Sequence, residues 1–189
     1  MKILIAALIG LLPLHCEPER PAPTAWQCSG EHRDEINALP YAYGDLAPVD
    51  TAFRLAAADC GWTPDEIEAW VPFAVYDLIA KESGGCWNLR GGQVPKGTDC
   101  LVHTNPRRVG SDSGFGQLVS VWYRGAKAPA CRDVGLCSQD DIVTSPYSSI
   151  IAVVYAIHHD GAHPWCYDKR SCRYHSGAKS APKTKPGWA

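Results

Sequence analysis

Apolar residues recur at helical spacing in three stretches of this chain. Between Pro48 and Cys60, the residues Phe53, Leu55, Ala56, Ala57 and Ala58 gather ahead of Gly61, a residue suited to the left-handed stop of a helix, so the pattern predicts a helix there. Thr63-Pro64, with Glu66 three positions after the threonine, has the form of a capping box with proline at the first helical position, and a second helix is expected to start at once. Pro72 would remove a hydrogen bond and clash inside a continuous helix. A stop near Val71 and a restart with Pro72 in the next first turn is therefore favoured over a kink. From there Val75, Leu78, Ile79 and Glu82 follow one helical face, and Ser83-Gly84-Gly85 ends it. The clearest helix starts at Ser145-Pro146, buries Ile150, Ile151, Val154 and Ile157, and stops at Gly161; it has the character of a central hydrophobic helix.

Elsewhere the periodicity is weaker. Gly91, Gly92, Pro95, Gly97 and Pro106 break it between Cys86 and Val109, which reads as a surface loop holding at most a small hairpin. Gly116 to Tyr123 predicts a helix with Leu118, Val119 and Trp122 inward, and a helical or irregular segment follows through Trp165 and Tyr174. Ser176 to Ala189 carries too few apolar residues to offset ordering entropy. No repeat and no strand-rich pattern is present, so the class is mainly α. The expected organisation is a signal peptide over 1–16, an irregular proline-rich lead-in over 17–46, a catalytic domain over 47–178 and a basic flexible tail over 179–189.

Composition adds the compartment. Met1-Lys2 and the apolar run from Ile3 to Leu12, followed by Pro13, resemble a secretory leader too short to span a bilayer. Cys16 is preceded by His15 where a lipoprotein signal has a small residue, which disfavours a lipid anchor. Of nine cysteines, eight lie beyond the leader: Cys28, Cys60, Cys86, Cys100, Cys131, Cys137, Cys166 and Cys172. An even set fits an exported, disulfide-stapled domain. Eight cysteines allow roughly a hundred connectivities. The most economical local loops join Cys86 to Cys100, Cys131 to Cys137 and Cys166 to Cys172, leaving Cys28 with Cys60. No Cys-x-x-Cys pair occurs and His158-His159 are adjacent, so no metal site and no cofactor are expected. With 46% apolar residues the chain is an ordinary globular one, and a net charge of −2 carries no nucleic-acid signature.

Glu82 carries the candidate chemistry. A carboxyl drawn toward apolar surroundings is a weaker acid and can serve as a proton donor in glycosidic bond cleavage. Glu82-Ser83, followed by Gly114-Phe115-Gly116-Gln117-Leu118, resembles the Glu-Ser and Gly-x-x-Gln signatures of lytic transglycosylases. Glu82-Ser83-Gly84-Gly85 with Trp87, then Gly116-Gln117 to Trp122, is also similar to the catalytic domains of resuscitation-promoting factors. The resemblance covers about residues 70–122 and, more loosely, 145–161. It implies a lysozyme-like helical domain of the goose-type and soluble-transglycosylase kind, acting on peptidoglycan glycan strands as an exported monomer without a cofactor.

In such enzymes the glutamate protonates the bond between N-acetylmuramic acid and N-acetylglucosamine, then acts as base while the sugar's C6 hydroxyl attacks, leaving an anhydro end. The internal hydroxyl replaces the second carboxylate that hydrolases use. Carried over, Glu82 is the acid/base, Ser83 a hydroxyl holding it, and Gly114, Phe115 and Gln117 the cleft. Tyr174-His175-Ser176-Gly177 is similar to the family's Tyr-Asn-Ala-Gly stretch and makes Tyr174 a hydrogen-bonding residue beside Glu82. Gln117 lies further from Glu82 than the family's spacing, and the excess coincides with the loop between Cys86 and Cys100. Asp112 is the alternative: an acid near this stretch could activate water and make the protein a muramidase, although Asp in Ser111-Asp112-Ser113-Gly114 also suits a turn. Trp87, Trp122, Trp165 and Tyr123 could stack on sugars, with Trp122 better suited to the core. His158, His159 and His163 are expected to interact with the negative end of the hydrophobic helix. A noncatalytic wall-binding protein is the alternative from another class.

Overall fold

The computed structural model describes residues 26–91, 93–96, 98, 100–103, 110, 112–166 and 168–186. The expected signal peptide, residues 17–25 of the lead-in and the last three residues of the tail lie outside them. The elements are α1 (Arg33–Ala38), α2 (Ala47–Asp59), α3 (Pro64–Phe73), a π-helical segment (Ala74–Ile79), α4 (Ala80–Glu82), β1 (Val94–Lys96), β2 (Leu101–His103), α5 (Pro129–Val134), α6 (Gln139–Ile142), α7 (Pro146–Asp160) and α8 (Ser171–Tyr174). Short 3₁₀ turns cover Ser120–Trp122, His163–Trp165 and Ser176–Lys179. The result is a small, mainly α-helical domain with four disulfide bridges. No helix among the described residues is long and apolar enough to cross a membrane.

The core forms around α7, whose residues from Ser149 to His158 are all buried, as expected of a helix apolar on every side. Ser145 caps it, accepting the Ser148 N–H at 3.1 Å, with Pro146 at the first helical position. Helix α2 packs against it through Val49, Ala52, Phe53, Ala56 and Ala57, all fully buried, the alanines letting the two backbones approach closely. The capping box of α3 is complete: the Thr63 hydroxyl accepts the Glu66 N–H at 3.3 Å, and the Glu66 carboxylate accepts the Thr63 N–H at 2.7 Å.

Pro72 does not restart a helix. α3 runs through it and passes directly into the π segment and α4, so one helical path extends from Pro64 to Glu82. Pro72 lies on the exposed side, where water can satisfy the carbonyl left without its N–H partner, and the tertiary packing of Trp70, Val71 and Phe73 holds the helix on course.

Three other regions depart from the sequence pattern. The lead-in contains α1, whose Ile36 is fully buried in the core; Tyr41 donates its hydroxyl to the Ile36 carbonyl at 2.8 Å. Residues 116–123 form a turn and one 3₁₀ turn in place of a helix, and Val119 is exposed while Leu118 and Trp122 are buried. Residues 179–186 are docked, not free: Lys185 donates to the His159 carbonyl at 2.5 Å and sits 3.8 Å from Asp160, complementing the negative end of α7. The 3₁₀ turn before them packs on the π segment and α3.

The bridges join Cys28 to Cys60, Cys86 to Cys100, Cys131 to Cys137 and Cys166 to Cys172. The second closes the loop that carries β1, and β2 follows it directly and pairs antiparallel with β1, Pro95 opposite Val102.

Candidate functional site

A cleft of about 230 Å³ opens where the end of α4, the turn over 112–122 and the segment over 164–175 meet. Glu82, Asp112, Gln117, Ser171, Tyr174 and His175 supply its polar groups. Leu118, Val119, Trp122, Pro164 and Trp165 supply its apolar wall. A recess that sets convergent polar groups against an apolar wall has the makeup of a small-ligand site.

Glu82 reaches the cleft as the last residue of α4, and its side chain is 24% exposed. Its Oε1 lies 2.8 Å from Nε2 of His175, a residue only 3% exposed. The carboxyl is therefore held by a buried imidazole and not simply enclosed by apolar side chains. Asp77, five positions earlier, backs the same ring: its Oδ2 is 3.8 Å from His175 Nδ1 and accepts the Gly177 N–H at 3.1 Å, while its Oδ1 accepts from Lys81. In a regular α-helix residues five apart diverge by about 140°. The π segment inserts an extra residue into the turn, and both carboxylates reach one histidine.

The segment carrying His175 is fastened to the helix end reciprocally. Lys81 Nζ donates to the Tyr174 carbonyl at 2.6 Å, and the Tyr174 hydroxyl donates to the Lys81 carbonyl at 3.1 Å. Cys166–Cys172 closes the chain just before it. Tyr174 thus lines the cleft, 54% exposed, but its hydroxyl serves Lys81 and not Glu82. Burial first, and then the Glu82 charge, push its phenol up from the ordinary value, which keeps it neutral.

The opposite wall is a tight turn. Ser113 and Leu118 exchange backbone hydrogen bonds at 3.0 Å each, and between them Gly114 and Gln117 adopt positive φ. A Cβ on Gly114 would stand 2.5 Å from Ser149 Oγ, and one on Gly116 would stand 2.9 Å from Val153 Cγ2, so both glycines are explained by close packing of the turn on α7. Gln117 turns its amide onto the Gly114 carbonyl at 2.9 Å and lines the cleft. Asp112 faces the same space, its carboxyl pushed above the usual range by burial and then by the nearby Glu82 charge.

Three expected site residues lie elsewhere. Ser83 is buried and donates to the Ile79 carbonyl at 3.3 Å, so it closes the helix end and does not hold Glu82. Phe115 is fully buried beside the Tyr41 ring, its N–H donated to Ser149 Oγ at 2.8 Å, because the turn's packing on α7 points it inward. Gly114 shapes the turn without lining the cleft. Of the aromatics, Trp122 and Trp165 line the cleft from largely buried positions, the latter donating to the Gly116 carbonyl at 2.8 Å, whereas Tyr123 is core.

His158 stacks on Trp26 at 4.8 Å and is pushed down by burial, which keeps it neutral, so a charge–dipole interaction at the helix end does not describe it. Asp77, Lys81 and His175 are the residues the sequence reading missed; the signal available was a charged pair four apart interrupting a buried apolar stripe.

Away from the cleft, Glu31, His32 and Asp59 place ligand-type atoms within 4.8 Å of one another. Asp59 there is already engaged by the His32 ring at 2.7 Å and by the His32 N–H and the Ser29 hydroxyl, each at 3.2 Å. No family model, no curated protein and no solved structure matches this chain.

Proposed function

We propose that this protein is an exported, lysozyme-like enzyme that cleaves the glycan strands of peptidoglycan at the β-1,4 bond between N-acetylmuramic acid and N-acetylglucosamine. The observation that carries the reading is the placement of Glu82: half-buried at a helix end, anchored through one oxygen, and open to a cleft whose wall offers aromatic and apolar faces. Such faces suit the apolar side of a pyranose, while Gln117, Ser171 and Tyr174 offer hydrogen bonds to its substituents.

In the proposed reaction Glu82 gives a proton to the glycosidic oxygen as the C1–O bond breaks. The carboxylate then takes the proton of the muramyl C6 hydroxyl as its oxygen bonds to C1. The product is a 1,6-anhydro end, and Glu82 recovers its proton. General acid–base help of this kind is worth about a hundred- to ten-thousand-fold, so Glu82→Gln should lower turnover by that factor. Clearing of cell wall by that variant at the parent's rate would refute the assignment.

Asp112 favours a second reading. Facing the same cleft, with its proton affinity raised by burial and by Glu82, it is placed to activate water and make the reaction a hydrolysis. Mass spectrometry of products from purified peptidoglycan separates the two: anhydro ends identify the transglycosylase route, reducing ends alone identify the muramidase. Binding to the wall without either product would identify a noncatalytic glycan-binding protein.

A further inference from the structure

One buried imidazole lies between two carboxylates, and counting its donors leads to a role for it. His175 Nε2 is 2.8 Å from Glu82 Oε1, and Nδ1, buried without a hydrogen-bond partner, points toward Asp77 Oδ2 at 3.8 Å. A neutral imidazole has one N–H and one bare nitrogen. With the proton on Nε2, the bare Nδ1 lone pair faces the Asp77 carboxylate. With the proton on Nδ1, the bare Nε2 needs a proton from Glu82 Oε1, which would aim the acid's proton at the histidine and away from the cleft. Only the doubly protonated ring both donates to Glu82 and turns a positive N–H edge to the Asp77 carboxylate, at ion-pair and not hydrogen-bond distance.

The other groups around it leave this arrangement undisturbed. Lys81, from α4, is committed to Asp77 Oδ1 and the Tyr174 carbonyl. The Tyr174 ring meets the imidazole edge-on at 4.7 Å. Asp112 stands in the same cleft, near enough for Glu82's charge to act on it.

We propose that His175 is the positioning residue of Glu82, held as an imidazolium by Asp77. Its Nε2–H fixes Oε1 and stabilises the carboxylate formed when Glu82 gives up its proton. Oε2, which makes no hydrogen bond among the described residues, is the oxygen that exchanges the proton with the sugar. Proton balance is kept: the proton leaves Oε2 for the leaving oxygen and returns to Oε2 from the C6 hydroxyl, while His175 keeps both of its own throughout. The catalytic half of this assignment rests on the glycan-cleavage reading; the state of the ring does not.

Two experiments test the halves separately. Nitrogen-15 NMR of the His175 ring in the full oxidised protein should show both nitrogens protonated at neutral pH. In Glu82→Gln and in Asp77→Asn, where a negative partner is gone, the ring should lose a proton at lower pH than in the parent. Glu82→Gln keeps the test usable if loss of the Asp77 contacts to Lys81 and Gly177 unfolds the other variant. A bare nitrogen in the parent at neutral pH overturns the assignment.

In the second experiment, turnover on purified peptidoglycan is followed against pH. His175→Gln offers an uncharged N–H in place of the cation, so the carboxylate formed at Glu82 loses its charged partner. Turnover should fall about tenfold, and the limb that descends toward alkaline pH should move to higher pH. His175→Phe fills the space without a donor and should lose about a hundredfold or more. A ring that merely fills space predicts the reverse order and an unmoved limb, and either result overturns the positioning role. If the parent protein releases no product while the ring carries both protons, the glycan-cleavage reading fails and the ring's charge state stands.

Discussion

The α2–α7 pair and the wall of the cleft are held together by different means. Between the two helices there is continuous apolar contact, with Phe53, Ala56, Ile150 and Ile157 fully buried. The described residues of the wall over 164–179 form short turns, and among them only Trp165 and His175 are buried; what fixes it is a disulfide, the reciprocal Lys81–Tyr174 bonds and the Asp77–Gly177 contact. Burial stabilises the first region and covalent and polar tethers the second. The framework and the site should therefore fail separately.

Phe53→Ala probes the framework. Truncating a fully buried aromatic that packs edge-on against Trp62 should cost about 3–5 kcal/mol, read as a lower midpoint in chemical denaturation, with activity lost only in proportion to unfolding. Cys166→Ser with Cys172→Ser probes the wall. A bridge between residues six apart contributes about 2 kcal/mol by loop-closure arguments, and its loss should be local. On the glycan-cleavage reading turnover should drop about tenfold or more, with proteolytic cutting near residue 170 and a smaller change in global unfolding than Phe53→Ala causes. Equal effects of the two changes on stability and activity would erase the distinction between the regions.

The smallest expected effect separates structure from chemistry at Asp112. Its folded carboxyl binds its proton more tightly than the unfolded one, so stability falls as pH rises through the raised value and is regained toward acid. Asp112→Asn should then be slightly more stable than the parent at neutral pH, with the advantage shrinking as pH is lowered. If Asp112 is also the water-activating base, the same variant loses reducing-end product; on the transglycosylase route the yield of anhydro ends is unchanged.

Much of the framework was legible from local signals. The run from Ser145 to Gly161 announced α7 because capping and apolar spacing are properties of neighbouring residues, and the Thr63 box did the same for α3. Spacing likewise favoured the disulfide pairs that the structure contains. The site was legible only at Glu82, Gln117, Asp112 and Tyr174, which do share a cleft. Phe115 reads as a motif residue and turns out to be core, because whether a turn's side chain points in or out depends on the helix it rests on.

What the sequence determined by itself is what short-range chemistry controls: the capped starts of α3 and α7, the buried faces of α2 and α7, a carboxylate at a helix end, and cysteines spaced for local loops. What only the tertiary structure decided is the company of that carboxylate. His175 lies 93 positions away and Asp77 five, the first brought in by a docked C-terminal segment and the second turned to the same side by a π segment. Neither placement is encoded in periodicity, because a π turn through a proline-containing helix and a long-range contact both draw their stability from packing that forms only once the whole chain is folded.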